Sequence, residues 1–146
     1  MRLRRGHDIG SANAAAAERR GNRILADAAL LGSWSATRWQ YRSRANPESV
    51  VDVVCALGAT VTLSLSEDSY VLTWSLADQR NRSLGGAFAV QGERLELRTP
   101  DQNPPEALTY RLAGETLALS SESSEWDFDG DGKDEAADFV AVLVRL

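Results

Sequence analysis

From Gly58 onward, apolar and polar residues alternate with a period of two. Val61, Leu63 and Leu65 interleave with Thr60, Thr62 and Ser64, and Tyr70, Leu72, Trp74 and Leu76 interleave with Thr73 and Ser75. Further segments carry Leu84, Gly86, Phe88 and Val90, then Leu95 and Leu97 between Arg94, Glu96 and Arg98, then Leu108, Tyr110 and Leu112, then Leu117 and Leu119. A last strand is expected over Asp138 to Leu146, with Val140, Val142 and Val144 on one face. Alternation of this kind describes strands with one dry and one wet face. Short polar turns separate the segments, among them Gln91-Gly92-Glu93 and Ala113-Gly114-Glu115.

Upstream, Ser33 to Arg44 reads as a first strand. Its pattern is mixed, but it carries Trp34, Trp39 and Tyr41. Asn46 to Leu57 is ambiguous. Asn46-Pro47 starts helices well, whereas the valine run favours a strand, and the reading is a short helix or irregular flap before Gly58. Asn22 is placed to cap a short helix over Arg23 to Leu31, with Ile24, Ala28 and Leu31 on one face and Gly32 as its stop. Residues 1–21 are rich in Ala and Arg, are interrupted by Gly6, Gly10 and Gly21, and are expected to form a disordered or frayed-helical tail.

The expected organisation is therefore a basic tail (1–21) and one domain (22–146). That domain is all-β, an eight-stranded antiparallel up-and-down barrel preceded by a short helix. Closure lets eight such strands bury their inner faces and lose their edges. A two-sheet Greek-key sandwich is the alternative; it needs long crossovers, and most turns here are short.

Composition narrows the chemistry. A chain of 146 residues suffices for one cored domain. Cys55 is the sole cysteine, so no internal disulfide forms, and its place in an apolar run suggests a small core residue. No stretch approaches the roughly 18 apolar residues of a membrane-spanning helix. Residues 1–44 hold nine Arg against Asp8, Glu18 and Asp27, a net +6, while residues 45–146 carry −11. An acidic body lacks the clustered Lys and Arg that nucleic acid requires, and the basic head reads as a solvated tail. Met1-Arg2-Leu3-Arg4-Arg5 opens like an export signal, but no apolar stretch follows, so no signal peptide is expected. His7, in the tail, is the sole histidine. Nucleophile–histidine catalysis and His/Cys zinc sites inside a barrel are thereby excluded, and the expectation is a protein that is not an enzyme.

One constellation does carry chemistry. Counting Asp127 as position 1 gives Asp127, Asp129 and Asp131 at 1, 3 and 5, glycine at 6, the Lys133 carbonyl at 7, Glu135 at 9 and Asp138 at 12. This is the oxygen-ligand spacing of a calcium loop, since a hard cation takes six to eight oxygens from a tight turn. Gly130 and Gly132 permit that turn. The loop departs from the EF-hand in having Asp134 at position 8, Asp instead of Glu at position 12, and strands as flanks. Two like charges about 5 Å apart repel by roughly 0.8 kcal/mol even in water, so so many acids in one turn favour a cation. The affinity expected is about 10⁻⁴–10⁻³ M, which points to a compartment outside the cytoplasm.

Leu31-Gly32-Ser33-Trp34, opening the first strand, resembles the Gly-x-Trp signature of lipocalins. The order of the later segments, ending in Asp127-Phe128-Asp129-Gly130-Asp131-Gly132 before the final strand, is similar to the bacterial lipocalin-like domain proteins, whose barrels are of the calycin type. The resemblance covers Leu30 to Leu146. It implies that Trp34, after Gly32, plugs one barrel end and that Arg145 packs over its ring. It also implies a small hydrophobic ligand as partner and a place in the cell envelope or outside the cell. An eight-stranded barrel either fills with side chains or holds one small ligand. In the second case Leu63, Leu72, Trp74, Phe88, Leu97, Tyr110 and Leu119 would line the site. In the first, those side chains pack together in a structural or interaction module.

Overall fold

The computed structural model describes residues 28–76, 80–102 and 104–146. The tail and most of the expected N-terminal helix, with Asn22 and Ile24, lie outside them. Where that helix was expected to end, Ala28–Leu30 forms a single 3-10 turn instead. The strands are β1 (Gly32–Ser43), β2 (Val50–Asp52), β3 (Thr60–Leu65), β4 (Ser69–Ser75), β5 (Arg82–Gln91), β6 (Arg94–Arg98), β7 (Glu106–Ala113), β8 (Thr116–Trp126) and β9 (Glu135–Arg145). From β3 onward each is antiparallel to the next, and β1 pairs with both β3 and β9. Eight strands thus close into an up-and-down barrel, and β2 is an extra strand on the upper part of β1. No helix among the described residues is long and apolar enough to cross a membrane.

The inner face holds one continuous core. Trp34, Trp39, Tyr41, Tyr70, Phe88 and Phe139 are its largest fully buried side chains, packed with Leu30, Leu63, Leu72, Leu95, Leu97 and Leu108. Period-two burial holds strictly in β3 and β4, where inward Val61, Leu63, Leu65, Tyr70, Leu72 and Trp74 alternate with partly exposed neighbours.

β5 breaks the period with five consecutive buried residues, Leu84 to Phe88, and β1 and β8 break it at a bulge. In β1 the pairing with β9 shifts between Ala36 and Arg38, so Trp34 and Ala36 point inward before the shift and Trp39 and Tyr41 after it. The odd spacing of the two tryptophans, which made this segment look mixed, follows from that one extra residue. In β8 the shift lies between Ser121 and Ser124. It lets β8 run on to Trp126, well past the Leu117 and Leu119 pair expected from the pattern.

Three further expectations are corrected. On β9 the inward residues are Ala137, Phe139, Ala141 and Leu143, while Val140 and Val144 are exposed. Both faces of this strand are apolar, so periodicity could not choose between them. Pairing of Leu143 with Leu117 and of Ala141 with Leu119 decides it. Asn46 to Leu57 is neither helix nor flap. It contains β2, held against β1 by the Gln40–Asp52, Tyr41–Val51 and Arg42–Val50 pairs, followed by a tight turn. Cys55 lies exposed in that turn and outside the core. The Asp52 carboxylate beside it pushes the thiol pKa above its ordinary value, which disfavours the nucleophilic thiolate.

Gly86 sets the closest approach between β5 and the chain leaving β6. A Cβ on this residue would lie 2.0 Å from the Arg98 carbonyl oxygen and 3.2 Å from Thr99 Cα. Tyr70 pairs across from Gly86, and its hydroxyl hydrogen-bonds Thr99 Oγ1 in the segment that Gly86 lets come close. Burial pushes the Tyr70 hydroxyl pKa up, so it remains a neutral hydrogen-bonding group. Gly86→Ala must push backbone apart, and the expected loss is about 1–3 kcal/mol of unfolding free energy. Urea denaturation of the variant checks this; a loss under about 0.5 kcal/mol, the ordinary range of a surface change, would contradict the stated contact.

Candidate functional site

The barrel has two differently built ends. At the first, the Ala28–Leu30 turn caps the opening and leaves its carbonyls needing partners. Arg145 Nη1 donates to the Leu31 carbonyl at 2.8 Å and Nη2 donates to that of Ala29. The Trp34 indole Nε1 donates to the Leu30 carbonyl at 3.0 Å. The Arg145 guanidinium carbon stands 4.2 Å from the Trp34 ring centroid, and its Nε faces Glu115 at 3.1 Å. Trp34 and Arg145 are also direct partners in the β1–β9 register. Gly32 makes this arrangement possible: its φ is +126°, and a Cβ there would lie 2.9 Å from Arg145 Nη1. The structure therefore brings Gly32, Trp34 and Arg145 into one fastening.

At the opposite end, the β8–β9 connection forms the acidic loop. Asp127 accepts amide bonds from Gly130 (Oδ1) and Gly132 (Oδ2), both at 2.9 Å. Asp129 Oδ1 accepts from the Asp131 amide at 3.2 Å, and Asp131 Oδ1 from the Lys133 amide at 2.8 Å. Gly130 and Gly132 adopt φ of 75° and 85°, the left-handed conformation that turns successive amides inward. The result is a loop wound around its own carboxylates.

Asp127, Asp129 and Asp131 each offer an oxygen within 4.8 Å of the others. Two oxygens on one calcium ion lie no more than about 5 Å apart, twice the metal–oxygen distance, so the three fit one cation. Glu135 opens β9 opposite Trp126, and Asp138 lies further into the strand, paired with Arg42 and 3.7 Å from Arg44 Nε. Neither belongs to the three-carboxylate cluster. Arg44 also donates from Nη1 to the Glu122 carbonyl at 2.7 Å, which ties the β8 bulge to the end of β1.

The loop's electrostatics are uneven. Partial desolvation pushes the Asp127 carboxyl up, but the Gly132 and Gly130 amides outweigh it and hold the group below the usual carboxylate range. For Asp129 the Asp131 amide pulls downward. Desolvation and the adjacent Asp131 and Asp127 carboxyls outweigh that pull, leaving it above its ordinary value. Beneath the loop, Trp126 stacks on Tyr41 at 4.7 Å, and Trp39 and Tyr41 pack on Phe139. Phe128, inside the loop, is partly buried against the core.

Of the residues expected to line an internal ligand site, Leu63, Leu72, Trp74, Phe88, Leu97 and Leu119 all lie in the core with at most 4% of their surface exposed. Tyr110 is half-buried and packs against that core. Sequence reasoning missed Asp52, whose Oδ1 accepts the amides of Trp39, Val54 and Cys55 at 3.2, 3.0 and 3.3 Å. The one signal for it was a lone acid inside a valine run. No protein-family model, curated protein or solved structure matches this chain.

Two outcomes follow from the loop and the plug. In chelator, Asp127 and Asp129 should respond oppositely to replacement by Asn. The depressed Asp127 carboxyl adds stability above its unfolded-state pKa and loses it as pH falls through the folded-state value, so Asp127→Asn should melt lower at pH 7 and lose part of the acid dependence. The raised Asp129 carboxyl costs stability once ionised, so Asp129→Asn should melt at or above wild type at pH 7. Melting curves from pH 2 to pH 7 check both; equal shifts for the two variants would contradict the electrostatics. For the plug, Arg145→Met removes a cation–π contact of about 0.5–2 kcal/mol and strands two carbonyls. A total loss of about 2–4 kcal/mol is expected by urea denaturation.

Proposed function

We propose that this chain is a non-catalytic, lipocalin-like barrel filled by its own side chains, acting as a structural or interaction module. In this reading Asp127, Asp129, Asp131 and the Lys133 carbonyl hold a calcium ion that stiffens the β8–β9 loop, with Glu135, outside that cluster, nearest to complete the shell. The observation that carries the filled barrel is the closure of its inner positions. A void able to hold a small ligand leaves its walls open to a water-sized sphere, and at most 4% of the surface of each of the six inward residues named above is open to one. The calcium reading is supported by three converging carboxylates and by the upward push on Asp129, a cost that a cation relieves. Asp138, engaged by Arg44, is left out of the ligand set. An affinity near 10⁻⁴–10⁻³ M suits millimolar calcium, so the working place of the protein would lie outside the cytoplasm.

A small hydrophobic ligand among Leu63, Leu72, Trp74, Phe88, Leu97, Tyr110 and Leu119 is the second reading. It is favoured by the eight-strand barrel size and by the half-buried Tyr110.

Two titrations test these readings. Thermal melting with calcium against chelator should show stabilisation approaching about 2.7 kcal/mol at 100 times the dissociation constant, and Asp129→Ala should abolish it. No shift at millimolar calcium removes the metal. An apolar fluorophore should show no saturable binding to a filled barrel. One-to-one binding accompanied by tryptophan quenching would favour the ligand-carrying reading instead.

A further inference from the structure

We propose that residues 45–59 form a strap that opens as a unit while the eight-stranded barrel stays closed, with Asp52 as its latch; Arg44, bonded to the Ala136 and Glu122 carbonyls, stays with the barrel. The seam it covers is built into the topology. β3 pairs with β1 only from Gly32 to Ser35. Above that point the same edge of β1 is taken by the three residues of β2, opposite Gln40, Tyr41 and Arg42. The upper end of β3 has no β1 residue opposite Thr60 or Val61; there the strap closes on itself, the Ala59 amide donating to the Val53 carbonyl at 2.9 Å.

The strap is thinly held. In the sheet it is paired on one side only. Of its residues only Val53 and Ala59 are fully buried core members, while Val50 and Leu57 are exposed. Outside the β2 ladder, its main-chain fastenings to β1 are the Ser43 amide on the Ser49 carbonyl and the Val53 amide on the Trp39 carbonyl, both at 2.9 Å. Barrel strands, by contrast, are paired on both sides. Segments with few buried apolar contacts and one-sided pairing open below the free energy of global unfolding.

Side chains add the Arg42 Nη1 bond to the Pro47 carbonyl at 2.7 Å and the Asn46 amide on Ser43 Oγ at 3.1 Å, but Asp52 makes the most. One oxygen takes the Trp39 amide from β1 and the Val54 and Cys55 amides from the turn, so a single carboxylate joins the strap to the barrel and fixes its reversal. Release would bare the main-chain edge of β1 from Trp39 to Ser43 and give a side approach to the Trp39–Tyr41–Phe139 aromatic cluster.

Hydrogen exchange on the full chain, resolved to single amides, tests the strap. Val53 and Ser43 decide it, because their amides bond main-chain oxygens and not Asp52. In wild type both should exchange at least about 10-fold faster than the paired amides of β4 and β5. In Asp52→Ala both should quicken about 10- to 100-fold, the worth of a charged acceptor, with β4 and β5 unchanged. Asp52→Asn keeps an acceptor oxygen and should restore most of the protection. The proposal is overturned if Val53 and Ser43 exchange at the rate of β4 and β5 in wild type. It is overturned equally if Asp52→Ala speeds only Trp39, Val54 and Cys55, or speeds the whole sheet alike. Should Asp52→Ala fail to fold, the wild-type comparison and Asp52→Asn decide the question alone.

Discussion

The fold depends on the pairing of its first strand with its last. Nine residue pairs join β1 to β9, from Trp34–Arg145 to Ser43–Ala137. Without them the chain is an open sheet with two long edges and a core exposed along both. With them, every barrel strand has a neighbour on each side for at least part of its length, and the inner residues share one dry volume. Pairs this distant in sequence pay loop-closure entropy over most of the chain before any bond forms, so the closing contact needs strong local reinforcement. Arg145 supplies it. One guanidinium covers the Trp34 ring, satisfies the carbonyls of Ala29 and Leu31 and faces Glu115. The same group therefore locks register, covers Trp34 at the barrel end and anchors the turn that precedes β1.

β1 carries conflicting demands. It must follow β9 along its whole length, yet it meets β3 for only four residues. The bulge between Ala36 and Arg38 bends it away, and Thr37 Oγ1 donates to the Val142 carbonyl at 3.2 Å at that point. The seam left behind is closed by the short β2 strand and the turn after it. A bulge, an extra strand and a latching carboxylate are thus one connected consequence of closing a barrel with a strand that cannot keep both neighbours.

The acidic loop sits at the other end of the same closure, between β8 and β9, whose register shift between Ser121 and Ser124 re-aims Trp126 beneath it. Stacking of Trp126 on Tyr41 fixes where the loop begins. Its internal amide bonds hold Asp127 ionised while Asp129 bears the repulsion of its neighbours. The loop backbone is organised by its own hydrogen bonds, so a cation would meet carboxylates already turned toward one another, with little ordering left to do.

The sequence by itself determined the all-β class, the up-and-down order, the hairpin turns and the inward residues of β3 to β6, because alternation and turn chemistry are local properties. It also held the calcium-type spacing and the pairing of Trp34 with a late arginine, the latter through resemblance. Tertiary structure alone decided the phase of β1 and β8, because a bulge shows only against its partner strand. It decided the inward face of β9, where both faces are apolar and Leu117 and Leu119 choose one. It also turned Asn46 to Leu57 into a strand and latch, exposed Cys55, and set Asp138 3.7 Å from Arg44, outside the cluster of Asp127, Asp129 and Asp131. In each case the deciding energy lies between residues far apart in the chain, and no local pattern encodes which distant neighbour a side chain will meet.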